Sequence, residues 1–157
     1  MEPDELDLPS LIVLASGGVV RAVLDRMAAD GFEGAKPSHG YVIQRLVEDE
    51  PTITALAESL GITQQGASKQ VRDLEQLGYV ERTAVPEDQR ARRIRLTSSG
   101  RALLESGRAA RAALEAEVVE RVGPRTLASA KKVLAALLEV VELGDRVRTR
   151  TVPDPGQ

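Results

Sequence analysis

The chain has 157 residues, 42% hydrophobic and 29% charged, with a net charge of −3; this is the make-up of one compact soluble domain, or of one small domain plus an appendage, and is too short for a two-domain enzyme with its own cofactor fold. Without cysteine, and with His39 as its one histidine, it can build no disulfide framework, thiolate centre or multi-histidine metal site, so no cofactor and no metal is expected. Only Phe32, Tyr41 and Tyr79 are aromatic, which favours a Leu/Val/Ile/Ala core of helix on helix and argues against a single-strand nucleic-acid binder, whose platforms need stacking rings.

Residues 1–8 are acidic and aperiodic and read as a flexible end. From Pro9 to Ala29, Leu11, Ile12, Val19, Val23, Leu24 and Met27 mark an apolar helix stopped by Gly31, with a kink or close backbone approach expected at Gly17-Gly18. No apolar run is read as approaching the roughly 18 residues of a membrane span, and the acidic start lacks the basic stretch of a secretory signal. A cytoplasmic protein without membrane contact is therefore expected.

A second helix starts near Pro37, carries Val42, Ile43, Leu46 and Val47, and is expected to run until Pro51 stops it. Thr52 then caps a short helix, Ile53–Leu60, closed by Gly61; Thr63 caps the next, Gln64–Leu77, with Ala67, Val71, Leu74 and Leu77 on one face. The period then changes. Residues 79–85 and 92–96 read as strands around a turn at Pro86-Glu87-Asp88-Gln89, with Val80, Ile94 and Leu96 facing in. Thr97 or Ser98 caps a long helix to about Val122, Gly123-Pro124 breaks it, and a last helix runs from Arg125 to about Val147 before a polar tail. In it Leu127, Ala130, Leu134, Leu137 and Val141 recur at spacings of three and four, a seam that wants another helix against it.

Charge is uneven. Residues 1–60 hold 4 basic and 11 acidic side chains, net −7, while 61–98 and 99–157 are each net +2. The run Gln89-Arg90-Ala91-Arg92-Arg93-Ile94-Arg95 has four arginines and no acid. Two short helices joined by Gly61-Ile62-Thr63 and followed by a charged hairpin make a winged helix-turn-helix. With Ala67, Val71 and Leu74 committed to the core, the opposite face of the second helix shows Gln64, Gln65, Ser68, Lys69 and Arg72, and Gln64 to Gln70 contains no acid. Gln can bond adenine N6/N7 and Lys guanine O6/N7, Ser reaches base or phosphate, and Arg reaches phosphate. At the hairpin, Arg90 is placed to enter a minor groove with Asp88 holding its guanidinium, while Arg92, Arg93 and Arg95 are placed for phosphate.

The segments that carry this reading also carry a resemblance. Residues from about 37 to 104 resemble the multiple-antibiotic-resistance regulator (MarR) family, through Leu56-Ala57-Glu58-Ser59-Leu60-Gly61, through the run from Ser68 to Arg82 and through the run from Asp88 to Gly100. The wing signature is Asp88-Gln89-Arg90, then a strand ending in Leu96-Thr97, then Gly100 at the next helix. The resemblance implies a mainly α fold with a small β-hairpin wing, and a dimeric transcription regulator, usually a repressor, on a pseudo-palindromic duplex operator. It further implies release by a small phenolic or otherwise anionic ligand. The expected organisation is helical dimerisation regions at 9–35 and 98–148 around a DNA-binding domain at 36–97, with a flexible tail at 149–157.

A ligand pocket is expected between the dimer helices and the second helix, with His39, Tyr41 and Arg21 or Arg26 as polar liners. No nucleophile elbow, Cys/His pair or carboxylate dyad is present, so no enzyme is expected. The competing reading is a winged-helix protein-interaction module. Its docking face would need aromatic or leucine anchors, and this face shows Gln, Ser, Lys and Arg.

Overall fold

The computed structural model describes residues 2, 5–85 and 88–145, the side chains of 85 and 88–91 excepted. In chain order come α1 (Leu8–Ala29), α2 (Pro37–Arg45), α3 (Ile53–Leu60), α4 (Gln64–Gln76), β1 (Val80–Val85), β2 (Asp88–Leu96), α5 (Ser98–Val122) and α6 (Pro124–Val140). The fold is mainly α, with β1 and β2 paired antiparallel from Val80↔Leu96 to Val85↔Asp88.

Each helix start has a local cause. Asp7, Thr52, Thr63 and Thr97 accept from the backbone N–H three residues on, at 2.8, 3.3, 3.1 and 3.0 Å, satisfying donors that the first turn leaves open. Gly61 closes α3 in the left-handed region at φ +68, where a side chain would be strained. The loop before α3 adds a one-bridge third strand to the hairpin: Thr52 pairs with Arg93, and the Ile94 N–H donates to the Pro51 carbonyl at 3.0 Å.

Leu56, Leu60, Val71, Leu74 and Ile94 are wholly buried, so α3, α4 and the wing share one core. Met27, Leu103, Leu104 and Ala110 continue it between α1 and α5. Arg26 lashes these two helices together, with Nη2 2.6 Å from a Glu117 carboxylate oxygen and Nη1 donating to the Ala110 carbonyl at 3.3 Å.

Several elements depart from expectation. Leu46 ends α2 well before Pro51, and Val47 is 42% exposed because Val42, Ile43 and Leu46 already fill the core beneath. Leu77 caps α4 instead of joining its buried face and lies against Gly34. β2 begins at Asp88, four residues earlier than expected, and α6 ends at Val140, before Glu142 takes φ +57. The turn at Pro86-Glu87 and the tail at 149–157 lie outside the described residues, whereas the expected flexible start already contains the Asp7 cap and the first residue of α1.

α1 is the largest correction. It passes unbroken through Gly17-Gly18, where no atom lies within 4 Å of either Cβ position. An 18-residue stretch of this 22-residue helix reaches a mean hydropathy of 1.6, enough by length and composition alone to cross a membrane, contrary to the expectation. The Ala, Ser and Gly that interrupt its runs of large apolar residues do not make the stretch polar. One side, Val23, Leu24 and Met27, packs on the core, while Val13, Leu14, Val19 and Val20 stay exposed.

Candidate nucleic-acid interface

The face of α4 opposite Ala67, Val71 and Leu74 is open. Gln64, Gln65, Lys69 and Arg72 are exposed and Ser68 is half-buried. The two acids of the helix, Asp73 and Glu75, are only 29% exposed and each is neutralised, by Lys36 Nζ at 2.8 Å and Arg82 Nε at 3.0 Å. Among the described residues, neither Lys69 nor Arg72 has an ion-pair partner within 4 Å. The outward potential of the helix is therefore positive although its composition is mixed. Arg82 also ties β1 to α4, making the wing and this helix one mechanical unit.

Gln64, the first residue of α4, does not hang free. Its amide Nε2 donates to Thr54 Oγ1 on α3 at 2.9 Å. Reading the residue types alone passes over Thr54, since nothing in helical spacing relates it to a residue ten positions away across a turn.

The wing arginines divide. Arg95 pairs across the strand with Glu81 at 2.7 Å, both side chains about half exposed. Arg93 is exposed and donates one Nη1 hydrogen to the Glu50 carbonyl at 3.1 Å, pinning β2 to the loop before α3. Arg92 is exposed. Asp88 and Arg90 lie on β2, and their side chains, with the ion pair expected between them, fall outside the described structure.

A cavity of about 250 Å³ lies between α1, α2 and α5, walled by apolar side chains such as Val20, Leu24, Ile43 and Leu104, with Lys36, His39, Gln44 and Arg111 as its polar edge. Of the expected liners only His39 belongs to it. Tyr41 packs partly buried against the core, Arg21 is exposed on α1 outside the cavity, and Arg26 is held by Glu117. Lys36 and Arg111 went unremarked in the sequence because their convergence depends on how α2 and α5 pack.

His39 is 2% exposed and works as a cap, Nδ1 accepting the Lys36 backbone N–H at 3.3 Å. Nδ1 as acceptor puts the proton of the neutral ring on Nε2, which has no partner among the described residues. Burial holds the imidazole below its ordinary pKa; nearby Lys36 lowers it further, and Asp73 opposes the shift. The Asp73 carboxyl in turn is held low, chiefly by its hydrogen bond from Lys36.

Residues 34–91 match the family model described as MarR family. A search of curated proteins returns no match. Among solved structures, the chain is similar to the MepR–DNA complex of S. aureus at 20% identity and TM-score 0.64, covering 86% of this chain and 98% of that one. It is similar to the YusO protein of Bacillus subtilis at 21% and 0.65, covering 88% and 99%. It is also similar to the transcriptional repressor CouR, bound to a 23-mer DNA duplex, at 26% and 0.64, covering 85% and 93%. Residues 34–91 are thus similar to the MarR family, and the chain shares the winged-helix fold of these solved structures.

Proposed function

We propose that the chain is a sequence-specific, duplex-DNA-binding transcription regulator, a repressor working in the cytoplasm, which acts as a homodimer on a pseudo-palindromic operator and is released by a small anionic or phenolic ligand. The observation that carries the proposal is the exposed, acid-free face of α4, whose only two carboxylates are turned aside and paired. In this reading Gln64, Gln65, Ser68 and Lys69 address base edges from the amino end of the helix and Arg72 addresses phosphate. On the wing, Arg90, supported by Asp88, enters the minor groove, and Arg92 and the remaining donors of Arg93 bind backbone. That two of the similar structures, those of MepR and CouR, hold DNA supports the same assignment. No catalytic role is proposed.

The second copy follows from exposed apolar surface. Val13, Leu14, Val19 and Val20 on α1 and Val133, Leu134 and Val140 on α6 stand 41–77% exposed, and α6 buries no residue at all in one copy. A helix of this kind is stable only with its apolar face covered. In this reading residues 9–35 and 98–148 dimerise and 36–97 bind DNA, and the two recognition helices must lie about 34 Å apart to meet one duplex turn. The ligand is assigned to the cavity beside α2, where apolar walls take a hydrophobic body and Arg111, Lys36 and the His39 Nε2–H take a polar or anionic head.

Selection from random duplexes by the purified protein, repeated at two salt concentrations, tests the proposal. Enrichment of a two-fold symmetric sequence is expected. Equal weak retention of every duplex would defeat it.

A further inference from the structure

The hydrogen bond between α3 and the first residue of α4 gives the recognition surface a feature that its outward-facing residues alone do not reveal. Gln64 is exposed, and an exposed glutamine ordinarily samples many rotamers, so a base contact made by it bears the entropy of ordering the side chain. Here Nε2 already donates to Thr54 Oγ1 at 2.9 Å. The amide plane is thereby oriented before any DNA arrives. Its second Nε2 hydrogen and its Oε1 remain available, and these are the donor and acceptor that adenine N7 and N6 require.

Thr54 suits the task. Its β-branched side chain has only two favoured χ1 rotamers in a helix, and the bond from Gln64 holds it in one of them. The residue itself is rigidly mounted, because α3 is anchored by the wholly buried Leu56 and Leu60 and capped by Thr52. Having accepted from Gln64, the Thr54 hydroxyl keeps its own hydrogen to donate outward. Being exposed at the amino end of α3, it can give that hydrogen to a phosphate oxygen and so register the amide against the DNA backbone.

We infer that Thr54 is a positioning residue for specificity: it fixes the amide of Gln64 in the orientation that reads adenine in each half-site. The inference rests on the DNA-binding function proposed above.

The test is duplex selection with sequencing, run on the full-length protein and on Thr54→Val, Thr54→Ser, Gln64→Ala and Thr54→Val/Gln64→Ala. Gln64→Ala identifies the half-site position read by Gln64 as the one whose adenine preference it abolishes. Thr54→Val, nearly isosteric but without the hydroxyl, should reduce preference at that position by about two- to ten-fold, the cost of ordering one free side chain, and leave the other positions unchanged. Thr54→Ser should retain the preference, and Thr54→Val should have no further effect on sequence preference when Gln64 is already Ala.

A wild-type consensus left intact by Thr54→Val, or one weakened uniformly at all positions, overturns the assignment, as does a Gln64→Ala protein with unaltered preferences. A wild-type protein that selects no sequence at all overturns the DNA-reading function itself. Far-ultraviolet circular dichroism and melting of each variant separate misfolding from the specific effect, and Thr54→Ala, which also removes the hydroxyl and suits a helix, supplies the same test with the same expected loss if Thr54→Val does not fold.

Discussion

Gly100, in the first turn of α5, lies directly against the start of β1. A Cβ added there would fall well inside van der Waals contact distance of the Tyr79 carbonyl oxygen, 3.0 Å from its carbon and 3.2 Å from Leu96 Cδ2. Two of these neighbours are backbone, so the clash cannot be relieved by turning a side chain. The Tyr79 carbonyl also accepts the Thr97 N–H at 3.1 Å, and Thr97 Oγ1 donates to the Gly78 carbonyl at 2.7 Å. Making room for Gly100→Ala must open this joint. Overpacking costs about 1–3 kcal/mol and a weakened hydrogen bond about 1; better helix propensity returns about 1. A net loss of about 1–3 kcal/mol follows, or a Tm lower by about 2–12 °C for a domain of this size. Gly40→Ala is the matched control, a helical glycine with no atom within 4 Å of its Cβ position, expected to gain about 0.5–1 kcal/mol. Reversible urea melts at one fixed protein concentration measure both, since the proposed dimerisation would make stability concentration-dependent. A Gly100→Ala loss below about 0.5 kcal/mol, within the range of an ordinary surface change, would show that the α5–β1 joint has slack and would refute the packing argument.

Four further outcomes are expected. Because the folded state holds His39 below its ordinary pKa of about 6.5, the unfolded chain binds the proton first; stability should fall as pH drops from 6.5 towards 5, and His39→Leu should flatten that part of the curve in urea melts. Leu134→Asp, on the exposed apolar face of α6, should halve the mass measured by sedimentation equilibrium and leave circular dichroism of the α3–wing core largely intact. Arg90→Ala should weaken binding to every duplex and lower the slope of log K against log salt by about one, read by titration at several salt concentrations. Gln65→Ala should instead relax one position in each half-site, weakening binding there by about 1–3 kcal/mol as the amide–base hydrogen bonds disappear, measured against single-base operator variants.

What could be read from residue order was whatever neighbours along the chain decide. Thr52, Thr63 and Thr97 announce helix starts because a hydroxyl three residues ahead of a free N–H is a local relation. Gly61 and Gly123-Pro124 announce stops for the same reason. The commitment of Ala67, Val71 and Leu74 to the interior, which leaves the Gln/Ser/Lys/Arg face outward, follows from a period of 3.6 and from the cost of burying charge.

Periodicity misplaced Val47 and Leu77 because it reports an apolar side without saying where the interior ends. Both sit one step beyond the last residue that the core has room for. The pairing of Asp73 with Lys36, of Arg95 with Glu81 and of Gln64 with Thr54 joins side chains far apart along the chain or on different elements. Such partners are chosen by how helices and strands pack, and that choice is made by the whole buried surface at once. The same holds for the cavity, whose edge combines Lys36 and His39 from the start of α2 with Arg111 from the middle of α5. Sequence alone determined the kind of elements, their order and the chemistry of the outward face of α4. Tertiary packing decided which of those charged and polar groups are already engaged, because an ion pair or hydrogen bond depends on distances of a few ångströms between elements, and no local pattern encodes those distances.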